Sequence, residues 1–457
     1  MRTDRRFTAA IEKERALAEG MKYLAPETTL ADIHQQQLAF EGHRDRMSED
    51  FSEFYEELTA GYKINLEEVQ DDLDVDTTGL VSFYQNEVIL YRLLITPDTI
   101  DIAVMNDSRN EVLALTEELT RIIPAGKSAE QTKRASRRLY QLLFAGIDSL
   151  LPERLHVVTN GELEAIPFAA LRRDTAAGAA QYLGVECAIS RQSSIREMQM
   201  LEALDLAPKY ARPLGMAPAF SNELLQASDL RQAGFKLPPL VFNTEEVRDL
   251  EELSTGQYYY DATATINHYT ENATDYGIIH LATHAISSQT DGLRSHLYLL
   301  DDDGQPTQLY ASDIGDQTLN AELVVLSACE TGGGGRHATE GRVGLTKAYL
   351  AAGARSVVSS NWAVDDHATA ELMGSFYEQL KMGRAPHEAL QHSRKAYLER
   401  HPDAAPYKWA AFEAHGGMKP VNWKQNHSMW PSLGYAAAVA FLAVIFGSYF
   451  RRRETSE

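Results

Sequence analysis

From position 155 onward, short apolar runs alternate with stretches whose apolar residues recur at three- and four-residue steps. The runs fall at 156–159, 186–190, 213–216, 277–283, 295–300, 322–327 and 356–359, and helical periodicity marks 245–253, 341–352 and 366–382. Strands alternating with helices predict a mostly parallel sheet covered on both faces, an α/β fold. Two runs, GIIHLAT at 277–283 and LVVL at 323–326, lack any polar alternation, which predicts strands buried on both sides. Upstream the pattern changes. Phe40, Met47, Phe51, Phe54, Tyr55 and Leu58 mark one amphipathic helical face over 38–58, and Asn65 caps a short helix over 65–73. Runs at 79–84, 88–96 and 99–105 predict an antiparallel meander, and 129–151 a long helix. The polar, proline-containing segment 217–240 reads as a surface loop. The expected domains are therefore a helical region over 1–74, free of any 34-residue helical repeat, and a main body over 75–420 with its core in 155–417.

The far end follows a different pattern. No charged residue occurs from 428 to 450, and LGYAAAVAFLAVIFGSYF at 433–450 is apolar all round. After a linker at 421–429, residues 430–450 make a helix of about 20 residues, roughly 30 Å long, enough to cross a bilayer. Trp430, Tyr435 and Tyr449 stand where amphipathic rings favour the interface, and a basic tail, 451–457, follows. A short tail crosses a membrane more easily than a folded body, so the expected topology is a single carboxyl-terminal anchor with the body in the cytoplasm. The charged amino terminus carries no signal-peptide pattern.

Charge narrows the partners. A net charge of -22 argues against nucleic acid, whose binding rests on cations meeting phosphates. Two cysteines, Cys187 and Cys329, give neither a disulfide framework nor a metal cluster, and suit a reducing compartment. No metal and no cofactor is expected.

The candidate chemistry sits at the ends of the two buried runs. One leads to His284 and the other to Cys329, followed by the glycines 332–335. Open α/β sheets keep their sites at such edges. A thiol reacts as thiolate, and a neighbouring imidazole both lowers its pKa and carries the proton onward. Cys187, inside VECAIS, reads as a small hydrophobe. His280 shares a strand face with His284 and is either a supporting partner or a core histidine. The glycine run lacks the Lys-Ser/Thr of a phosphate loop, and no G-x-S-x-G elbow occurs.

These residues fall within familiar motifs. HLATHA (280–285), LSACETG (326–332), EG (340–341), LTKAYLAAGARSVVSSNWAVDDHAT (345–369), LMGSFYEQLKMG (372–383) and PYKWAAF (406–412) together resemble the CHAT family of caspase-like cysteine peptidases. IPFAAL (166–171), LPPL (237–240) and EEV (245–247) add to the match, which runs over 79–417. The resemblance implies a caspase-like α/β/α sandwich, with Cys329 as nucleophile, His284 as general acid/base and an acyl-enzyme. It places the oxyanion on the backbone N–H groups of Ala285 and Cys329. Ser327, two residues before Cys329, would line the pocket for the side chain preceding the scissile bond. Its small uncharged side chain speaks against selection of a basic residue. Asn361, Trp362 and Asp365 would supply further walls, although Asp365 or Asp366 also suits a helix cap. The implied function is a membrane-anchored cysteine endopeptidase in defence or regulated cell death. Its protein substrate would be of the kind of a pore-forming protein, and a regulatory partner would sit at the amino-terminal helices. The competing reading is a silent caspase-like scaffold that recruits partners at the membrane.

Overall fold

Apolar runs that show no alternation become interior strands, because both of their faces must be covered. The computed structural model describes Lys13 and residues 64–73, 77–86, 89–126, 129–174, 180–220, 240, 243–288, 292–330, 338–362 and 366–423. The chain divides into two units, Met1–Asp72 and Leu73–Glu457. In the first, helix α1 (Leu66–Asp72) has its Glu67 N–H donated to the Asn65 side-chain oxygen at 3.1 Å, the cap that the sequence predicts. The amphipathic segment 38–58 and the apolar segment 430–450 lie outside the described residues. No helix among the described residues is long and apolar enough to cross a membrane.

The second unit opens with an antiparallel meander, β1 (Thr78–Gln85), β2 (Leu90–Thr96) and β3 (Thr99–Val104). Helices α2 (Arg109–Ile122) and α3 (Ala129–Phe144) follow. The expected helix over 129–151 stops at Phe144, because Gly146 turns into the left-handed region at φ 80°. Next come β4 (Arg154–Thr159), a small separate hairpin of β5 (Arg172–Asp174) and β6 (Ala180–Tyr182), then β7 (Ala188–Gln192) and α4 (Ile195–Ala203). The remaining strands are β8 (Tyr210–Ala217), β9 (Gln257–Tyr260), β10 (Tyr276–Ile286), β11 (His296–Leu300), β12 (Pro306–Tyr310), β13 (Leu323–Glu330), β14 (Ser356–Ser360) and β15 (Phe412–Gly416). Between them lie α5 (Asn243–Leu253), α6 (Ala338–Ala351), α7 (Asp366–Lys381) and α8 (Pro386–Arg400).

Thirteen strands form one mixed sheet, ordered β12-β11-β10-β13-β14-β15-β7-β4-β1-β2-β3, with β8 beside β10 and β9 beside β8. It contains two parallel blocks. One is β9, β8, β10, β13 and β14; the other is β15, β7, β4 and β1. They meet at the antiparallel pair β14–β15 and therefore run in opposite directions. The carboxyl ends of the two blocks face opposite edges of the sheet, so the edge that carries His284 and Cys329 belongs to one block alone.

Alternation along the central strands splits them between two cores. Ile278, Leu323, Val325 and Val358 join one cluster with Leu372, Met373 and Phe376 of α7. Ile279, Leu281, Val324, Leu326 and Val357 join the other with Leu345, Ala348 and Tyr349 of α6. Both faces are thus covered by helices, as the unalternating runs require. Each fully buried leucine or valine contributes about 1.5–3 kcal/mol relative to exposure.

The junction between blocks is fixed by Gly416, opposite Ser356. Its carbonyl accepts from Ser190 Oγ at 2.6 Å and Gln192 Nε2 at 2.5 Å. A Cβ here would lie 2.3 Å from the Arg355 carbonyl oxygen, and φ is already +90°. Gly416→Ala should destabilise the fold by about 3 kcal/mol, seen as a fall in urea midpoint at unchanged slope. A midpoint within error of the parent would show that this joint does not hold the two blocks together.

Candidate active site

The site grows out of the pairing of β10 with β13. Eight consecutive residue pairs run from Ile278 opposite Leu323 to Ala285 opposite Glu330, and the seventh sets His284 opposite Cys329. Both strands run further than the sequence suggests. Each ladder continues past the apolar run, so His284 and Cys329 are strand residues and not the first residues beyond a strand. All eleven residues of β10 are buried, because neighbours pair on both of its edges: β13 on one, and β8 giving way to β11 on the other.

Face by face, the positions separate. Val325, Ser327 and position 329 share one side of β13 with the row of His280, Ala282 and His284 on β10. This is the side packed by α5 and α7. His284 is fully buried, with the Phe220 ring 5.4 Å from its own. His280 hydrogen-bonds through Nδ1 to the hydroxyl of Tyr377 on α7, and burial drives its pKa down to about 3. Of the two readings the sequence left open, a neutral core histidine fits. Tyr377 is itself held well above the ordinary tyrosine value by burial, with Glu246 adding to the shift.

Ser327 is half-buried, and its hydroxyl donates to Glu246 Oε1 at 2.7 Å. Glu246, 4% exposed, stands in the first turn of α5. The amino end of that helix is fastened by Asn243 Nδ2, which donates to the carbonyls of Pro218 at 2.9 Å and Ala282 at 3.3 Å. Sequence spacing offered no sign that a carboxylate would stand here, although EEV at 245–247 lies among the quoted motifs.

A family model for the CHAT domain matches residues 133–417, more than half of the 457-residue chain. The chain belongs to the CHAT-domain family. It is 26% identical over 352 residues to human tetratricopeptide repeat protein 28, covering 67% of this chain but 14% of that protein. Among solved structures it is similar to the Saccharomyces cerevisiae separase–securin complex, with TM-score 0.45 and 10% identity, over 76% of this chain and 30% of that one. It is also similar to the Porphyromonas gingivalis RgpB pro- and mature domains, with TM-score 0.37 and 10% identity, over 69% of this chain and 77% of that one.

Other expected positions of this CHAT domain are distributed as follows. Ala285 lies in β10 between Leu297 and Glu330 and is 5% exposed. Asn361 follows β14, its backbone N–H donated to the Ala411 carbonyl at 2.8 Å. Trp362 is 7% exposed, packs in the core that holds α7, and donates its indole N–H to the Tyr407 carbonyl at 2.9 Å. Asp365 lies outside the described residues. Cys187 is buried just before β7, with Sγ 3.2 Å from the Pro152 carbonyl oxygen, and burial pushes its thiol up to about 12. Among the described residues no group of acidic, histidine and cysteine side chains is arranged to hold a metal ion.

Buried histidines make the fold acid-sensitive. His156 and His280 are held to about 3, and His387 well below the ordinary 6.5, in each case chiefly by burial. Between those values the unfolded chain binds protons that the folded chain refuses. The stability these groups support is therefore complete above pH 6.5 and drains away as pH falls toward 3. Going from pH 7 to pH 5 should remove on the order of 1–2 kcal/mol each for His156 and His280. Urea midpoints at the two pH values test this, and His156→Gln should flatten the fall. A pH-independent midpoint would contradict it.

Proposed function

We propose that this CHAT protein is a cysteine endopeptidase that is shut at rest and cuts a protein substrate. The supporting observation is the register that sets His284 opposite Cys329 on neighbouring parallel strands. Strands lie about 4.8 Å apart, so positions on the same row and face stand as direct neighbours.

The chemistry balances with these groups alone. His284 takes the Cys329 proton, and the sulfur bonds to the substrate carbonyl carbon while the carbonyl electron pair moves to oxygen. Backbone N–H groups of Ala285 and Cys329 receive that charge. As the carbonyl re-forms, the carbon–nitrogen bond breaks and the proton leaves with the amine. Water, deprotonated by His284, then cleaves the thioester and returns the thiol.

Residues 430–450 act as a membrane anchor with the body in the cytoplasm, and a regulator engages residues 1–74. A pore-forming protein suits the substrate role, since confinement to one membrane raises effective concentration. Such a cut would serve defence or regulated cell death. His284 is fully buried beneath Phe220, so substrate reaches it only after an opening step. That burial also favours a second reading, in which the domain is a silent scaffold.

An acyloxymethyl-ketone probe that alkylates peptidase thiols separates the two. The full chain should label weakly, and Phe220→Ala should label at least tenfold faster. Label should vanish when Cys329→Ala or His284→Ala is added to Phe220→Ala. Absence of Cys329-dependent labelling in both the parent and Phe220→Ala would leave the scaffold.

A further inference from the structure

The row of positions just below His284 and Cys329 is Ala217 on β8, Ala282 on β10 and Ser327 on β13, with Ala282 and Ser327 directly opposite each other. Ala217 and Ala282 pack against Val247 of α5. The next residue of that helix toward its amino end is Glu246, which takes the Ser327 hydroxyl at 2.7 Å. A buried carboxylate therefore stands one hydrogen bond beyond the residue expected to line the pocket for the side chain preceding the scissile bond.

We propose that Glu246 makes this site select lysine or arginine immediately before the scissile bond, with Ser327 as the bridge to its carboxylate. The inference rests on the peptidase reading above, and it reverses what an uncharged residue at 327 implies by itself. Distances allow it. Two residues of extended strand separate positions 327 and 329 by about 6.6 Å. A lysine or arginine stem carries its charge about 6 Å from Cα, so the head arrives beside Ser327 when its carbonyl lies at Cys329. A carboxylate has about four acceptor sites and can accept from a hydroxyl and from a cation together. Ser327 is small and half-buried, so its own side chain does not block the stem.

The test compares acyloxymethyl-ketone probes that differ only in that side chain, lysine against norleucine, on the full chain and on Phe220→Ala. Cys329-dependent labelling should be at least tenfold faster with the lysine probe. Glu246→Gln should lower the lysine-to-norleucine rate ratio at least tenfold, and Glu246→Asp should retain part of it. Equal loss with both probes would mean a structural role, and a parent without lysine preference would overturn the proposal outright. A second measurement does not need catalysis. In Cys329→Ala, calorimetric titration with agmatine should show binding that Glu246→Gln weakens at least tenfold. Agmatine binding without probe labelling would retain the pocket and remove the peptidase. Norleucine labelling with neither lysine preference nor agmatine binding would retain the peptidase and remove the pocket.

Discussion

Parallel pairing of β10 with β13 is the constraint on which the rest depends. Its register is held by eight residue pairs and by neighbours on the outer edges of both strands. A slip of one residue would turn Ile278, Leu323 and Val325 away from one core and into the other, exchanging every buried side chain on the strand. Tight packing on both faces makes that slip prohibitive. The same restriction that protects the core fixes which histidine stands beside which cysteine. Precision at the site is thus a by-product of burying the sheet, and no separate device is needed to align the two residues.

The two histidines of β10 show how one strand face serves different ends. His280, four residues before His284, is wedged beneath Tyr377 and kept neutral by burial. It carries α7 against the sheet and stands at the level of Val325. His284 stands two rows higher, at the level of Cys329, with the Phe220 ring beside it. Phe220, a residue just past β8, makes a ring contact with His284, whereas His280 is held by Tyr377 of α7. A side chain after a strand is easier to displace than a packed helix, because it gives up fewer neighbours.

Much of the sheet was legible because its strands are apolar without interruption. The runs at 277–283 and 323–326 announced interior strands, and the helices near 245, 341 and 366 announced their covering. What stayed hidden was decided by distant partners. β15 reads FEAHG, and nothing in that string indicates a strand. Glu413 is accommodated there because Arg191 of β7 reaches it across the sheet at 3.3 Å, both side chains being buried. The segment at 186–190 was expected as one strand with Cys187 inside, yet a single helical turn ends at Glu186 and the strand begins at Ala188. The short edge strand β12 (PTQLY) was hidden for the same reason, whereas the tyrosines of β9 (QYYY) favour a strand and only its shortness conceals it.

The site divides along the same line. Spacing along one strand was enough to put Ser327 beside position 329, because extended chain alternates faces with fixed period. No local rule could supply Glu246, which lies 81 residues earlier and on a helix. Its location is set by where α5 lands, and that depends on Val247 and Leu250 entering the cores and on Asn243 gripping the Pro218 and Ala282 carbonyls. Chemistry and charge at this edge of the sheet therefore come from different segments with different constraints. The register of β10 and β13 cannot change without repacking both cores, whereas one side chain in the first turn of α5 can change without disturbing that register.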